Sequence, residues 1–309
     1  MPLSSLLSQQ RGQPNAIAYR QHQAIKLTAR TSMTITVQDI KKLRQRTGAG
    51  MMACQQALIE AEGDFDKAIE LLRKKGQKVA ADRASKATTE GLVLAETDIT
   101  ARYGVIIALG CETDFVANNE TFRELAQNIV AAALVHKPTS LEALVHLEVA
   151  GRTCQEQITS LIGKMGENIT LSAYDTLSSQ IVVPYVHLGS KLGVLVALQG
   201  AQGASVVEAG KNIAMQVAAM NPIAIDKGGV DPAIAAQELA IAREQASQTA
   251  KPPAILEKIA QDKLQKFYKD ATLLSQPFIK DNTLTVAQYL TKVAPTLTIT
   301  SFKRIVVGS

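Results

Sequence analysis

Residues 92–109, LVLAETDITARYGVIIAL, and residues 181–198, IVVPYVHLGSKLGVLVAL, are two versions of one pattern at a constant offset of 89. Gly104 stands over Gly193, and each is followed by Val-x-x-Ala-Leu. Aliphatic and β-branched runs on either side of a short connection predict strand, turn and strand in each copy. After each hairpin comes a helical pattern in which Asn-Ile precedes a proline at the same distance: NIVAAALVHKP from Asn128 and NIAMQVAAMNP from Asn212, now at an offset of 84. The first copy therefore holds five more residues between strand and helix than the second, and they fall where 111–119, CETDFVANN, lies. An α+β unit with an antiparallel sheet is expected twice.

Both copies close in the same way. Copy one continues through helical LEALVHL and CQEQITSLIGKMGEN into a strand at ITLSAY (169–174), and copy two through helical TVAQYLTKV (285–293) into a strand at TLTITSFKRIVV (296–307). Copy two is interrupted after Pro222. Asp231-Pro232 supplies an N-cap and a first-turn proline, and the helical pattern runs to about Thr249. Lys251-Pro252-Pro253 breaks it, and a second helix from Ala254 carries Leu256, Ile259, Leu264 and Phe267. Two helices across a short proline turn predict an antiparallel αα-hairpin inserted at about 226–264.

Upstream of the repeat, Thr36 and Asp39 have capping-box spacing, with Val37, Ile40 and Leu43 on one face up to Gly48. A second helix is expected from Met51 to Glu62, and a third, capped by Asp64, with Phe65, Ala68, Ile69 and Leu72 inward and Gly76 as its stop. The division is then a leader at 1–32, a three-helix domain at 33–76, a solvated helix tail or linker at 77–90, and core subdomains at 91–174 and 175–309.

The leader carries Arg11, Arg20, Lys26 and Arg30 and no acid. Removing those four leaves 29 basic and 28 acidic residues, so the formal charge of +5 falls to +1. A nearly neutral body argues against a nucleic-acid surface. The leader lacks an apolar core and is not a secretory signal; it reads either as an organelle transit peptide or as sequence upstream of a true start at Met33. No apolar run approaches the ~18 residues of a membrane span. Cys54, Cys111 and Cys154 are odd in number and widely spaced, which predicts reduced thiols.

Phosphate-loop, nucleophile-elbow and zinc-helix signatures are missing, so hydrolytic and phosphate-cradling chemistry has no anchor. In an extended backbone Glu112 and Asp114 would face one side, as an acid/base pair, a metal site or two solvated acids. His136, His146 and His187 each stand alone. Of Met51 and Met52, neighbours about 100° apart on a helix, one can face a small core while the other stays near the surface. Arg44 lies near the same end of that helical domain. Phe115 could serve as a staple for a helix starting near Asn118 or at a Thr121–Glu124 capping box, but Phe122 already anchors that helix. Copy two makes the same connection with GAQGAS (200–205), so the fold does not require an aromatic here, and a partner's pocket explains Phe115 better.

These residues resemble the elongation factor Ts family. LRQRTGAGMMACQQAL from Leu43 is similar to the family's N-terminal signature and TDFVANN to its Thr-Asp-Phe-Val core, with GENITL, HLGSKLGVLVA and SQPFIKD following in order. The resemblance covers residues 33–309. It implies an N-terminal ubiquitin-associated-like three-helix bundle, two related α+β core subdomains and a coiled-coil hairpin in the second. It implies a cytoplasmic guanine-nucleotide exchange factor that meets elongation factor Tu in its GDP-bound and nucleotide-free states, with no cofactor, no covalent chemistry, no direct nucleic-acid contact and no membrane.

By the same resemblance Thr113, Asp114, Phe115 and Val116 reach the nucleotide domain of Tu, where Phe115 wedges in and Asp114 disturbs the Mg²⁺ and phosphate hydrogen bonding. Arg44, Met51 and Met52 grip a helix of that domain, and His187 meets another domain. The family's usual basic residue after that histidine is here Lys191, which keeps the charge without an arginine fork. Two rival readings predict other behaviour: an enzyme using Glu112 and Asp114 would show turnover or metal binding without a GTPase, and an RNA-binding protein would show a steep salt dependence.

Overall fold

The computed structural model describes residues 35–248 and 252–308. The leader, Met33, Thr249 and Lys251 lie outside the described residues. The chain divides into two units at Leu72 and Arg73.

In the first unit α1 (Val37–Thr47), α2 (Met51–Glu60) and the start of α3 (Phe65–Arg83) surround a small core of Ile40, Leu43, Cys54, Ala57, Leu58, Ala61 and Ala68. The capping box forms: Thr36 Oγ1 accepts the Asp39 N–H at 3.1 Å, and Asp39 Oδ2 accepts the Thr36 N–H at 3.1 Å. Gly48 ends α1 at φ +66°. Val37, expected on the inner stripe, is exposed; a first-turn side chain leans toward the helix N-terminus and overshoots the core. Asp64 caps α3 by accepting the N–H groups of Asp66 and Lys67.

Helix α3 does not stop at Gly76 but runs through to Arg83, so much of the expected linker is helical. Gly76 is a packing position rather than a cap. A Cβ on Gly163 would lie 2.7 Å from Gly76 Cα, so two glycines bring two helix backbones together there.

In the second unit, copy one runs β1 (Glu90–Thr97), β2 (Tyr103–Cys111), α4 (Asp114–Ala117), α5 (Glu120–His136), α6 (Leu141–Val145), a short ribbon of β3 (Glu148–Val149) and β4 (Arg152–Thr153), α7 (Cys154–Met165) and β5 (Ile169–Ser178). Copy two runs β6 (Ile181–Val186), β7 (Leu192–Gln199), α8 (Ala204–Met220), α9 (Pro232–Ser247), α10 (Pro253–Ala271), β8 (Pro277–Phe278), β9 (Asp281–Thr285), α11 (Val286–Val293) and β10 (Thr298–Val306). The strand that closes copy one extends past Tyr174 to Ser178, across the expected subdomain boundary.

The two three-stranded sheets are β1-β2-β5 and β6-β7-β10, both antiparallel with the second hairpin strand in the centre. Leu92 faces Leu109 in one and Ile181 faces Leu198 in the other, the same register in both copies. Helices α5 and α8 have the same length at the offset of 84, and each ends on a left-handed residue before proline, Lys137 at φ +50° and Asn221 at φ +44°.

Alternation along the central strands separates two interfaces. Val105, Ile107 and Leu109 pack with Phe122 and Ile129 of α5 and Ile158 of α7. Val194, Val196 and Leu198 pack with Ile213 and Val217 of α8 and Leu290 of α11. The opposite faces meet each other through Val93, Ile106, Ala108, Val182, Leu195 and Ala197. The unit is therefore layered as helices, sheet, sheet and helices, which is why its strands read as continuous apolar runs.

That sheet–sheet contact has a pseudo-two-fold. A Cβ on Gly104 would lie 2.6 Å from Val182 Cγ1 and 3.2 Å from Leu195 Cδ2, and one on Gly193 would lie 2.5 Å from Val93 Cγ1 and 3.2 Å from Ile106 Cδ1. Val93 and Val182, like Ile106 and Leu195, are repeat mates. The Val182 N–H donates to Ala101 O, and the Val93 N–H donates to Ser190 O; Ala101 and Ser190, again repeat mates, both have positive φ, +53° and +55°.

The two inserted helices pack through Ala242, Ala246, Ala260 and Leu264, and Arg243 holds the Glu257 carboxylate with two hydrogen bonds of 2.9 Å. The second helix continues beyond residue 264 to Ala271, with no glycine or proline to stop it. A bridge between Ala224 and Thr272 closes the base of the insertion. Buried Gln276 donates to Asp270 O and accepts from buried Gln216 of α8, tying that base to the core.

All three cysteines are free and buried. Burial, followed by the nearby Glu167 and Glu90 carboxylates, pushes the Cys111 thiol up to about 12, and burial also raises Cys154. Both stay protonated at pH 8. Ellman's reagent should therefore find no fast-reacting thiol in the native protein and three after denaturation; a thiol that reacts at once in the native state would contradict the closed core.

Candidate functional site

The extra residues of copy one fold into α4, a single helical turn that splits the Phe-Val pair. The Ala117 N–H donates to Thr113 O at 3.2 Å and the Asn118 N–H to Asp114 O at 2.9 Å. One turn places successive side chains about 100° apart. Val116 is 6% exposed and joins the core with Ala117, whereas Phe115 is 84% exposed. Phe115 is thus not a staple. Val116, expected among the partner-facing residues, anchors the turn from below.

The helix that follows is capped by Asn119, whose side chain accepts the Thr121 N–H at 2.9 Å, in place of the expected Thr121–Glu124 box. Phe122 is fully buried, as its spacing predicted.

Glu112 and Asp114 do not form a pair. The backbone leaves the extended conformation at Asp114, so their shared side is lost. Glu112 forms an ion pair with Arg83 at 3.1 Å and accepts the Asn168 N–H at 2.6 Å. Asp114 is exposed at the start of the turn, next to Phe115. Among the described residues there is no group of three or more His, Cys, Asp or Glu side chains that could hold a metal ion. An acid/base dyad at Glu112 and Asp114 is therefore not assembled.

Thr113 is fixed from every polar atom. Its N–H donates to Glu167 Oε2 at 3.0 Å and its hydroxyl to Glu167 Oε1 at 2.6 Å, while its carbonyl accepts from the Cys111 thiol at 3.1 Å and from the Ala117 amide. Spacing could not have found Glu167, Asn168 or Arg83, which lie tens of residues from the loop in sequence.

The other expected residues are placed as follows. In the first unit Arg44 is exposed in the last turn of α1, and Met51 and Met52 are 37% and 77% exposed, so both methionines face outward rather than one. In the second unit His187 is exposed in the β6–β7 connection, with its Nδ1 2.8 Å from the Tyr185 hydroxyl. Its neighbour Leu188 is almost wholly exposed. Lys191 is paired with Glu90 of β1 at 2.6 Å, an internal use of the charge expected to face a partner. His136 and His146 are exposed. No described helix is long and apolar enough to cross a membrane.

Residues 112–309 match the family described as Elongation factor TS. Elongation factor Ts of Amoebophilus asiaticus is 64% identical over 277 residues, which cover 90% of this chain and all of that protein. Elongation factor Ts of Cytophaga hutchinsonii is 48% identical over 273 residues, covering 88% of this chain and 98% of that protein. The corresponding factor of Chloroherpeton thalassium is 40% identical over 259 residues, covering 82% and 90%.

Proposed function

The chain belongs to the elongation factor Ts family, and from that premise we propose that it is a guanine-nucleotide exchange factor, binding elongation factor Tu with GDP and promoting GDP release. The observation that carries the reading is Phe115, a large aromatic held out in solvent by a turn whose next two residues are buried. An aromatic anchor of this kind is the usual currency of a binding hot spot. Phe115 enters an apolar cleft beside the nucleotide of Tu, and the Asp114 carboxylate, at the start of the same turn, is brought near the Mg²⁺ and phosphate hydrogen bonds, where an added negative charge weakens both.

The physics is linkage. A protein that binds nucleotide-free Tu better than Tu·GDP weakens GDP by the same coupling free energy. A ~10²-fold weakening corresponds to about 2.7 kcal/mol, which a desolvated aromatic and one misplaced charge can supply. No covalent bond changes, so no residue is catalytic in the chemical sense. The division into an N-terminal bundle at 33–76, extended by the helix to Arg83, with two core subdomains and an inserted hairpin, belongs to the same proposal. The expected compartment is the cytoplasm.

Stopped-flow release of labelled GDP from Tu, with and without the protein, tests the reading: acceleration is expected, and an unchanged rate would reject it. The first unit supplies a separate handhold in Arg44, Met51 and Met52. Because Met52 is 77% exposed, Met52→Gln should leave the thermal midpoint within about 1 °C and weaken complex formation about fivefold to tenfold by calorimetry. Unchanged affinity would remove the methionine pair from the interface.

A further inference from the structure

Strands β2 and β5 pair to their ends at Cys111 and Ile169. Just past that last pair, two carboxylates cross. Glu112 Oε1 accepts the N–H of Asn168 at 2.6 Å, and Glu167 Oε2 accepts the N–H of Thr113 at 3.0 Å. Each acid therefore takes the amide of the residue that follows the other acid, and the side chains continue the ladder where the backbones part. Arg83 of α3 sits on the Glu112 carboxylate, and the Asn168 side chain donates to Lys86 O at 2.7 Å, so the segment after α3 is bound into the same knot. Glu167 Oε1 also takes the Thr113 hydroxyl at 2.6 Å.

The fold does not need this arrangement. In copy two the equivalent strand pair, β7 and β10, closes with Gly200 against Thr296: a Cβ on Gly200 would lie 1.9 Å from Thr296 O, and the Thr296 hydroxyl donates to Gly200 O at 2.6 Å. No acid takes part there, and no exposed aromatic turn follows. Among the described residues the crossed carboxylates occur only in the copy that carries the extra turn, immediately before Asp114 and Phe115. Hydrogen bonds that end on ionised acceptors are about twice as strong as neutral ones, and a loop held in its bound geometry loses less entropy on docking.

We propose that Glu167 is a positioning residue for nucleotide exchange. Through Thr113, and with Glu112 as its crossed counterpart, it fixes the α4 turn so that Phe115 is presented in its docking geometry before the partner arrives. The inference rests on Phe115 being the group that docks. Glu167 itself touches neither nucleotide nor Tu.

The test uses the full chain with Phe115→Ala, Glu167→Gln, the double variant and Thr113→Val, read by stimulated release of labelled GDP from Tu and by amide hydrogen exchange across 112–118. Glu167→Gln keeps the shape but not the charge. It should lower stimulated release about tenfold and speed amide exchange at 113–117 by a similar factor. Added to Phe115→Ala it should lower release no further, because a positioning residue has nothing left to position. Thr113→Val, which removes the hydroxyl and leaves the amide, should give a smaller loss in the same direction, and it carries the same cycle if Glu167→Gln does not fold. Glu167→Gln releasing GDP at the parent rate while Phe115→Ala is slow would overturn the positioning role and leave the docking role standing. An equal proportional loss with and without Phe115 would also overturn it, as general destabilisation. Parent-like release by Phe115→Ala would overturn the docking role itself, and the inference with it.

Discussion

Replacing Phe115 with alanine should slow Tu·GDP exchange by about 30-fold or more while the protein melts where the parent does. The two halves of that expectation come from the same number, an exposure of 84%. A side chain that touches almost nothing in its own protein contributes almost nothing to its stability, and surface substitutions of this kind stay within about 0.5 kcal/mol. The same side chain desolvated in a partner's cleft is worth about 2 kcal/mol or more, which is about 30-fold in an equilibrium constant. Phe115→Leu should retain part of the effect. Calorimetry separates the wedge from a mere handhold. If Phe115 competes with nucleotide, Phe115→Ala weakens binding to nucleotide-free Tu more than to Tu·GDP, and the affinity ratio collapses. Equal weakening of both would leave Phe115 a contact without a role in release. Val116→Ala makes the control: it is buried, so it should lower the melting point first.

The repeat was legible because it was written in hydrophobic periodicity and in two fixed offsets. Strand register, the equal lengths of α5 and α8 and their left-handed ends before proline all follow from it. The extra turn was legible as a difference between copies, and Phe115 was legible because Phe122 already filled the anchor position. What stayed hidden was tertiary. Gly76 looks like a helix stop in one dimension, and only the approach of Gly163 makes it a packing site. Glu112 could be read as a solvated loop acid or as half of a dyad, because Arg83 and Asn168 are distant in sequence. Val116 looked like Phe115's companion because adjacency is all a sequence offers; a single helical turn sends the two residues to opposite fates. The offset of 89 put Gly104 over Gly193 without saying that each faces the other copy's valine.

That facing arrangement makes the second strong prediction. Gly104→Ala should lower the melting midpoint of the second unit by several degrees, although alanine in place of glycine removes unfolded-chain entropy worth about 0.4–1 kcal/mol. The new methyl would lie 2.6 Å from Val182 Cγ1 and 3.2 Å from Leu195 Cδ2, and forcing a methyl into a packed core costs about 1–3 kcal/mol. The clash outweighs the entropy gain, and at about 2–4 °C per kcal/mol for a unit of this size the midpoint falls. Val182→Ala removes the offending methyl. Alone it should destabilise by leaving a void; combined with Gly104→Ala it should recover more than half of the loss, a coupling of opposite sign to the single effects. The pseudo-two-fold demands the same of Gly193→Ala with Val93→Ala, because a Cβ there would lie 2.5 Å from Val93 Cγ1. It also forbids the crossed pairs: Gly104→Ala with Val93→Ala should show no rescue, since Val93 faces the other glycine. Rescue by the crossed pair, or by neither valine, would mean that the two sheets do not meet through these reciprocal contacts.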